Sequence, residues 1–274
     1  MKIFQAFYKE EQRPNLDLEF TPFDNTVNPV VNLYEHYIYT KIYEEAQKTN
    51  EDLWGHFSWQ WKRKLEGISA AQIVEIISQN PGHDVYTFFP YPWETADNWN
   101  VWEQGQWCHP NMIQLGKRIL ADMGEDPILL QSPMGIQTYM CVNYFVGNKK
   151  FWDGLLSFLE KFIVACDNLP EEYMALLNES AGYEPNLKLD YRGFICERMI
   201  STYLVLNKNN LSIRPLVEVY HHRLSDTLKD ILSYKESAIL NKDRNLLHKY
   251  IAERQPSKSG GYNWGKDWAN TCVL

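Results

Sequence analysis

Hydrophobic positions along the chain repeat with two periods, and the switches between them mark out the elements. A short apolar run, KIFQAFY at 2–8, reads as a first strand. The polar, proline-containing stretch 9–28 is too long for a tight turn, so it is expected to run over the surface or line a site. Val30, Val31, Tyr34, Tyr37, Ile38, Ile42 and Tyr43 then recur with helical spacing, while Glu44, Glu45 and Lys48 face away, which predicts a helix over 30–48. The run 53–59 predicts a strand that leads into a basic segment, Lys62-Arg63-Lys64. Ser69 and Gln72 form a capping box for a helix through Ile73, Val74, Ile76 and Ile77, stopped by Asn80-Pro81-Gly82. A strand at 84–89 follows at once, and this β-α-β order predicts that the two strands pair in parallel through a right-handed crossover.

The segment 90–110 holds four tryptophans and few aliphatic residues, which predicts an aromatic loop beside a binding cleft rather than a core element. A helix over 111–123 ends at Gly124, a residue that tolerates positive φ. The rest of the chain is organised around 137–206. There Tyr139, Cys141, Asn143 and Phe145 alternate with Met140, Val142, Tyr144 and Val146 as in a buried strand, and Asn148 caps a helix whose apolar residues run from Phe151 to Ile163. A second apolar helix, 191–206, carries Glu197 and Arg198, charges that are costly on a buried helix unless paired or used. Residues 212–220 suggest a further strand, and two amphipathic helices follow through Leu228, Ile231, Leu232, Ile239, Leu240, Leu246, Leu247 and Ile251. With no internal repeat and no linker, 1–255 is expected to be one α/β domain with a helical C-terminal portion, and the Gly-rich segment 256–274 an exposed arm.

Composition narrows the class. A hydrophobic content of 45% supports a substantial core. The net charge of −8 argues against a phosphate-neutralising surface, so no nucleic-acid partner is expected. Five cysteines, scattered and without metal-ligand spacing, read as core thiols in a reducing compartment, and no apolar run approaches the roughly 20 residues of a membrane span. A cytoplasmic protein is therefore expected, with peripheral membrane contact and oligomeric state left open. Ten Trp and seventeen Tyr suit stacking on sugars or nucleobases, although filling a core is the commoner use.

Dinucleotide-binding, P-loop, nucleophile-elbow and HExxH motifs are all absent, as is a DxD pair, to which Asp17-Leu18-Glu19 comes nearest. What remains are polar residues just beyond the expected strands: Tyr8 and Lys9, then 58–64, the 90–110 segment and Asn148. Ligands of open α/β sheets bind beyond carboxyl strand ends.

The order FDNTVNPVVNLYEHY, DLWGHFSWQWKRK, HDVYTFFP, QWCHP, VNYFVGNKKFWDGLLSFLEKF and GFICERMISTYL, over about residues 20–206, resembles a family of small GT-A-type glycosyltransferases of bacterial capsule and O-antigen clusters. The family's DN loop corresponds to Asp24-Asn25, its GLxHYRRY-like strand end to Gly55 through Lys62, its DV strand to Asp84-Val85, its histidine to His109, its NMFI to 143–146 and its F-x-SER to Phe194 through Arg198. The chain departs from the family where HYRRY is replaced by Ser58-Trp59-Gln60-Trp61-Lys62.

The resemblance implies a GT-A-like, Rossmann-like mixed sheet flanked by helices. It also implies transfer of a sugar from a nucleotide-sugar donor, with a UDP-sugar expected first, to a glycan acceptor in cell-surface polysaccharide synthesis. Without a DxD the need for Mn²⁺ or Mg²⁺ stays open, and Lys62 and Arg63 become the candidate diphosphate contacts. Tyr8, Lys9, Asp24 and Trp59 join them on the donor side, and Asn143, Trp99 and Trp102 stand on the acceptor side. Glu197, Asp84 and His109 are the candidate acid-base groups. Each has a structural alternative: Glu197 paired with Arg198, Asp84 capping a turn, His109 capping a helix, and Lys62 and Arg63 as a solvated turn. Two other classes compete, a non-catalytic carbohydrate-binding or assembly protein and a glycoside hydrolase with two carboxylates across a cleft.

Overall fold

The structure, a computed structural model, describes residues 1–29, 34–89, 91–140, 142–181, 190–216, 223–254 and 264–274. Among them, six strands form one sheet: β1 (Lys2–Phe7), β2 (Thr21–Asp24), β3 (Leu53–Ser58), β4 (Val85–Thr87), β5 (Phe145–Asn148) and β6 (Ile213–Pro215), in the order β2-β1-β3-β5-β4-β6. β1 runs parallel to β2 and β3, β4 runs parallel to β6, and β5 is antiparallel to both of its neighbours. The α-helices, in chain order, are α1 (Tyr34–Ala46), α2 (Trp61–Lys64), α3 (Ala70–Gln79), α4 (Pro92–Asp97), α5 (Val101–Cys108), α6 (Met112–Asp122), α7 (Lys149–Asp167), α8 (Glu171–Leu177), α9 (Tyr191–Asn207), α10 (Asp226–Asn241), α11 (Arg244–Glu253) and α12 (Trp264–Trp268). The result is an α/β fold of Rossmann-like type with a mixed sheet.

The alternation of side chains along each strand supplies both layers. Phe4, Ala6, Trp54 and Phe145 point into a large core shared with α1, α6, α7 and α9, while Ile3, Phe57, Tyr86 and Val146 point into a smaller one with α2 and α3. The Ser69 and Gln72 capping box forms at the head of α3 as its sequence predicts, and Gly124 ends the α6 segment at φ +78. Pro22 is tolerated because β2 is an edge strand, where a missing N–H leaves no ladder bond unmade on the open side.

Four expectations change. β3 and β4 do not pair, because β5 lies between them, with Trp54 and Val85 both opposite Gly147. A strand this central must be apolar on both faces, as Phe145 and Val146 are, and Gly55 on β3 is needed for the approach: a Cβ there would stand 2.6 Å from Val146 Cγ2. Only 145–148 of the alternating run enter the ladder, since residues 142–144 are buried on both sides without strand pairing, which gives the same pattern.

The tryptophan-rich segment, from residue 91 on, folds into α4 and α5 and supplies core rather than a loop. Trp99 and Trp102 are fully buried because their indole N–H groups donate to Gln131 O (2.8 Å) and Thr202 Oγ1 (3.0 Å), which removes the cost of burying them. Asn100 between them caps α5 through Trp102 N and Glu103 N. The expected terminal arm is partly packed: 264–274 returns to the body, where Trp268, Ala269 and Cys272 are buried and Arg244 donates to the Cys272 carbonyl at 3.1 Å. Residues 256–263 of that arm, and 217–220 of the expected 212–220 strand, lie outside the described residues.

Candidate functional site

β1 has β2 on one side and β3 on the other, so the carboxyl ends of these three strands diverge around a switch point, the place where open α/β sheets bind ligands. The antiparallel β5 brings the residues just ahead of it, Asn143 and Tyr144, to the same edge. α2 leaves the end of β3 almost at once and carries Lys64 there, while α1, which follows β2, contributes Glu35 and Tyr39. α9 packs on α1 and adds Glu197.

Hydrogen bonds and ring contacts join Glu35, Tyr39, Asn143 and His56, and beside them Ser58, Tyr144 and Lys64. Glu35 Oε2 accepts from Tyr39 OH at 2.9 Å and from Asn143 Nδ2 at 2.5 Å. Asn143 O lies 3.3 Å from Nδ1 of His56, whose ring meets Tyr39 edge-on at 5.2 Å. Ser58 Oγ and Tyr144 OH are 2.6 Å apart, Tyr144 stacks on Phe57, and Lys64 Nζ sits 5.5 Å from the Tyr144 ring centre. His56 Nε2 and Asn143 Oδ1 are buried without a hydrogen-bond partner in the protein, an arrangement that costs stability.

Glu197 and Arg198 are neighbours without forming a tight pair. Arg198 directs Nε to Val101 O (3.2 Å), one terminal nitrogen to Phe194 O (2.8 Å) and the other to Gln104 Oε1 (2.9 Å), so it braces α9 against α5. Gly105 on α5 makes room for it, since a Cβ there would collide with the guanidinium. The Glu197 carboxylate, 3.5 Å from Arg198, keeps 44% of its side-chain surface open. The protein around it, followed by the charge of Glu35, pushes its pKa up, to about 7, against the pull of Arg198 and Lys64. Burial raises Glu35 as well, against the pull of its two hydrogen-bond donors. Burial also drives His56 down to about 4, and Lys64 adds to that, so the ring is neutral at ordinary pH.

The residues expected at a site divide into two groups. Tyr8, Lys9, Asp24, Trp59, Lys62, Arg63, Asn143 and Glu197 all lie at or beside this carboxyl edge. Asp24 closes a turn by accepting from Thr26 N and Oγ1, which holds its pKa below the usual value. Trp59 is half-buried where β3 ends, and Arg63 donates to Gln60. Lys62 is engaged by Asp17 at 2.9 Å, and Asp17 also accepts from Trp61 Nε1, so the Asp17-Leu18-Glu19 stretch is structural in its first residue.

The other group is elsewhere. Asp84 lies at the amino end of β4, on the opposite edge, where it accepts from Asn148 Nδ2, Lys150 Nζ and Ser212 N. Burial works to raise its pKa, but these three partners hold it low, and it is a staple between β4, β5 and β6 rather than an acid or base. His109 ends α5 as a buried ring, with Nδ1 2.7 Å from Ala181 O and Phe194 at 4.1 Å, so its role is packing. Trp99 and Trp102 present no surface to an acceptor.

Sequence reasoning missed Glu35, His56 and Tyr144, and passed over Lys64 for its neighbours. Glu35 reads as an ordinary solvent-facing helix acid, and only a histidine at the centre of an apolar strand gave a usable signal. An open depression lined by Gln106, Asn111, Gln114, Lys117, Arg118 and Tyr173 shares no residue with the cluster.

Comparison with protein-family models, characterised proteins and solved structures gives no match. The fold is assigned as α/β, Rossmann-like, on its topology alone. No helix among the described residues is long and apolar enough to cross a membrane.

Proposed function

We propose that the protein is a nucleotide-sugar-dependent glycosyltransferase of GT-A-like fold that acts on a glycan acceptor. The observation that carries this reading is the half-open carboxylate of Glu197 on α9, its pKa raised, with the cations of α2 at the neighbouring carboxyl edge of the sheet. A base that titrates near working pH is suited to take a hydroxyl proton, and fixed cations are suited to a leaving diphosphate. The mixed sheet flanked by helices and the motif order of 20–206 support the same reading.

In a single displacement, Glu197 accepts the proton of an acceptor hydroxyl as that oxygen bonds to the anomeric carbon. The bond from that carbon to the diphosphate oxygen breaks, its electron pair leaving on the diphosphate, and Lys64 and Arg63 offset the charge. Ser58, half-buried beside Tyr144 OH, is the neutral polar group suited to orient a sugar hydroxyl, and Asn143 holds Glu35 behind it. Among the described residues no three of His, Cys, Asp and Glu converge as a cation site.

Thermal unfolding in the presence of a panel of UDP- and GDP-sugars, with and without Mn²⁺ or Mg²⁺, tests the proposal. A ligand at about 100 times its Kd stabilises the folded state by about 2.7 kcal/mol, a readily measured shift in Tm. No shift with any nucleotide or nucleotide sugar refutes it, and a shift with oligosaccharides alone favours a carbohydrate-binding protein.

A further inference from the structure

We infer that the depression framed by α5, α6 and α8 is a second ligand site, which holds an acidic oligosaccharide by a sugar carboxylate and is separate from the cluster at the carboxyl edge. Its volume is about 570 Å³, within the size range of small-molecule sites. Its polar lining is Gln106 from α5, Asn111, Gln114, Lys117 and Arg118 from the head and first turns of α6, and Tyr173 from α8. No carboxylate stands among the described residues that line it. On a chain of net charge −8, a hollow lined by two cations and no acid favours an anion.

The turn between α5 and α6 builds the hollow. α5 ends at Cys108 and α6 begins at Met112, and Asn111 makes the reversal in the left-handed region, at φ 74, which asparagine tolerates better than most residues. An N-cap residue ordinarily has extended backbone, and here the Asn111 side chain does not cap the helix. Gln106 takes that role from the preceding helix, its Oε1 accepting from Ile113 N at 2.9 Å. The Asn111 carboxamide is left uncommitted, as is that of Gln114 one turn on, and Gln106 keeps its own amino group. Each carboxamide group can donate and accept, which matches the hydroxyls of a sugar.

The two cations are held differently. Arg118 gives Nε to Asp122 at 2.9 Å and its guanidinium lies 5.5 Å from the centre of the Tyr173 ring, so it is fixed by two contacts while its terminal nitrogens stay uncommitted. Those two nitrogens are the parallel donors that a carboxylate accepts. Asp122 offsets the charge of Arg118, and Lys117 beside it has no ion-pair partner among the described residues, so one positive charge remains to be met. A carboxylate meets it with one negative charge, whereas a phosphate monoester brings nearly two. The carboxylate then lies against Arg118 and Lys117, with the ring hydroxyls on the carboxamides.

The test is calorimetric titration of the intact protein with a tetrasaccharide of galacturonic acid, with its carboxyl-reduced neutral counterpart, and with inorganic phosphate. The acidic tetrasaccharide is expected to bind, and the other two to bind at least about tenfold more weakly. Lys117→Gln and Arg118→Gln are each expected to weaken the acidic tetrasaccharide about tenfold. Asn111→Gly keeps the left-handed backbone but removes the carboxamide, and is expected to weaken it about threefold. Lys64→Ala is expected to leave this affinity unchanged, because Lys64 belongs to the carboxyl edge. The site is refuted if the acidic tetrasaccharide does not bind, if the neutral form or phosphate binds as tightly, or if neither Lys117→Gln nor Arg118→Gln changes the affinity. A loss with Lys64→Ala as large as with Lys117→Gln places the sugar at the carboxyl edge and refutes it too. The titration needs no nucleotide: binding by a protein that no nucleotide sugar stabilises refutes the transferase reading alone, and the reverse result refutes this site alone.

Discussion

His56 makes the protein acid-sensitive in a way that can be calculated and isolated. Its ring is 1% exposed on a central strand, and burial lowers its pKa from 6.5 to about 4. Above pH 6.5 neither the folded nor the unfolded chain protonates it, and it contributes no pH dependence. As pH falls from 6.5 towards 4, the unfolded chain takes up a proton that the native ring refuses, so stability is lost across that window. At 1.36 kcal/mol per unit, the full gap is worth about 3 kcal/mol, and about 2 kcal/mol of it is lost by roughly pH 5. Glu35 and Glu197 work in the opposite direction, because acids with raised pKa bind protons more tightly in the folded state, so the wild-type curve alone would mix the two effects. His56→Gln removes the titration and leaves the acids, so the informative quantity is the difference between the two proteins. Urea unfolding from about pH 7 to about pH 5 is expected to show the wild type losing about 2 kcal/mol more than His56→Gln. Parallel curves would mean that the native ring accepts a proton, and that water or a rearranged Glu35 reaches His56 in solution.

Other substitutions probe the frame and the edge. Glu103 and Arg254 form an ion pair at 2.7 and 2.8 Å with neither side chain exposed, so Glu103→Ala strands a buried cation and is expected to cost about 3–5 kcal/mol, read as a drop in Tm. Gly55→Ala forces a methyl group against Val146 between two central strands, and urea unfolding is expected to show a loss of about 1–3 kcal/mol. If the proposed function holds, Lys64→Ala is expected to weaken binding of a nucleoside diphosphate about tenfold by calorimetry. Lys62→Ala removes a cation already held by Asp17 and is expected to change that affinity less than about twofold.

Much of the frame was legible because local signals agreed with tertiary packing. The stripe over 151–163, the Ser69 box, the Asn148 cap and Gly124 each specify a helix or its end without knowledge of the rest of the chain. β2 was not legible, since TPFD has no strand pattern and is ordered by pairing with β1. The position of β5 was not legible either, because nothing local says which strands a four-residue apolar segment will separate. Trp99 and Trp102 were misjudged because their burial depends on acceptors at Gln131 and Thr202, which are distant in sequence. Glu197 was visible as a charge on an apolar helix. Glu35 was not, because what distinguishes it from other helix acids is Asn143, more than a hundred residues away.

The antiparallel strand at the centre of the sheet has a consequence for how the chain comes together. β3 and β4 are complete by residue 87, yet they cannot join until 145–148 have been made and inserted, and until then β3 presents an unsatisfied edge. Such long-range closure is slow, and the open half-sheet is the species most exposed to aggregation during synthesis. Asn143 and Tyr144 arrive with that same strand, so the cluster at the carboxyl edge is incomplete until β5 is in place. Before that step the Glu35 carboxylate has only Tyr39 of its own helix to hold it, and any ligand that binds the cluster would act on folding as well, by drawing the closing strand into place.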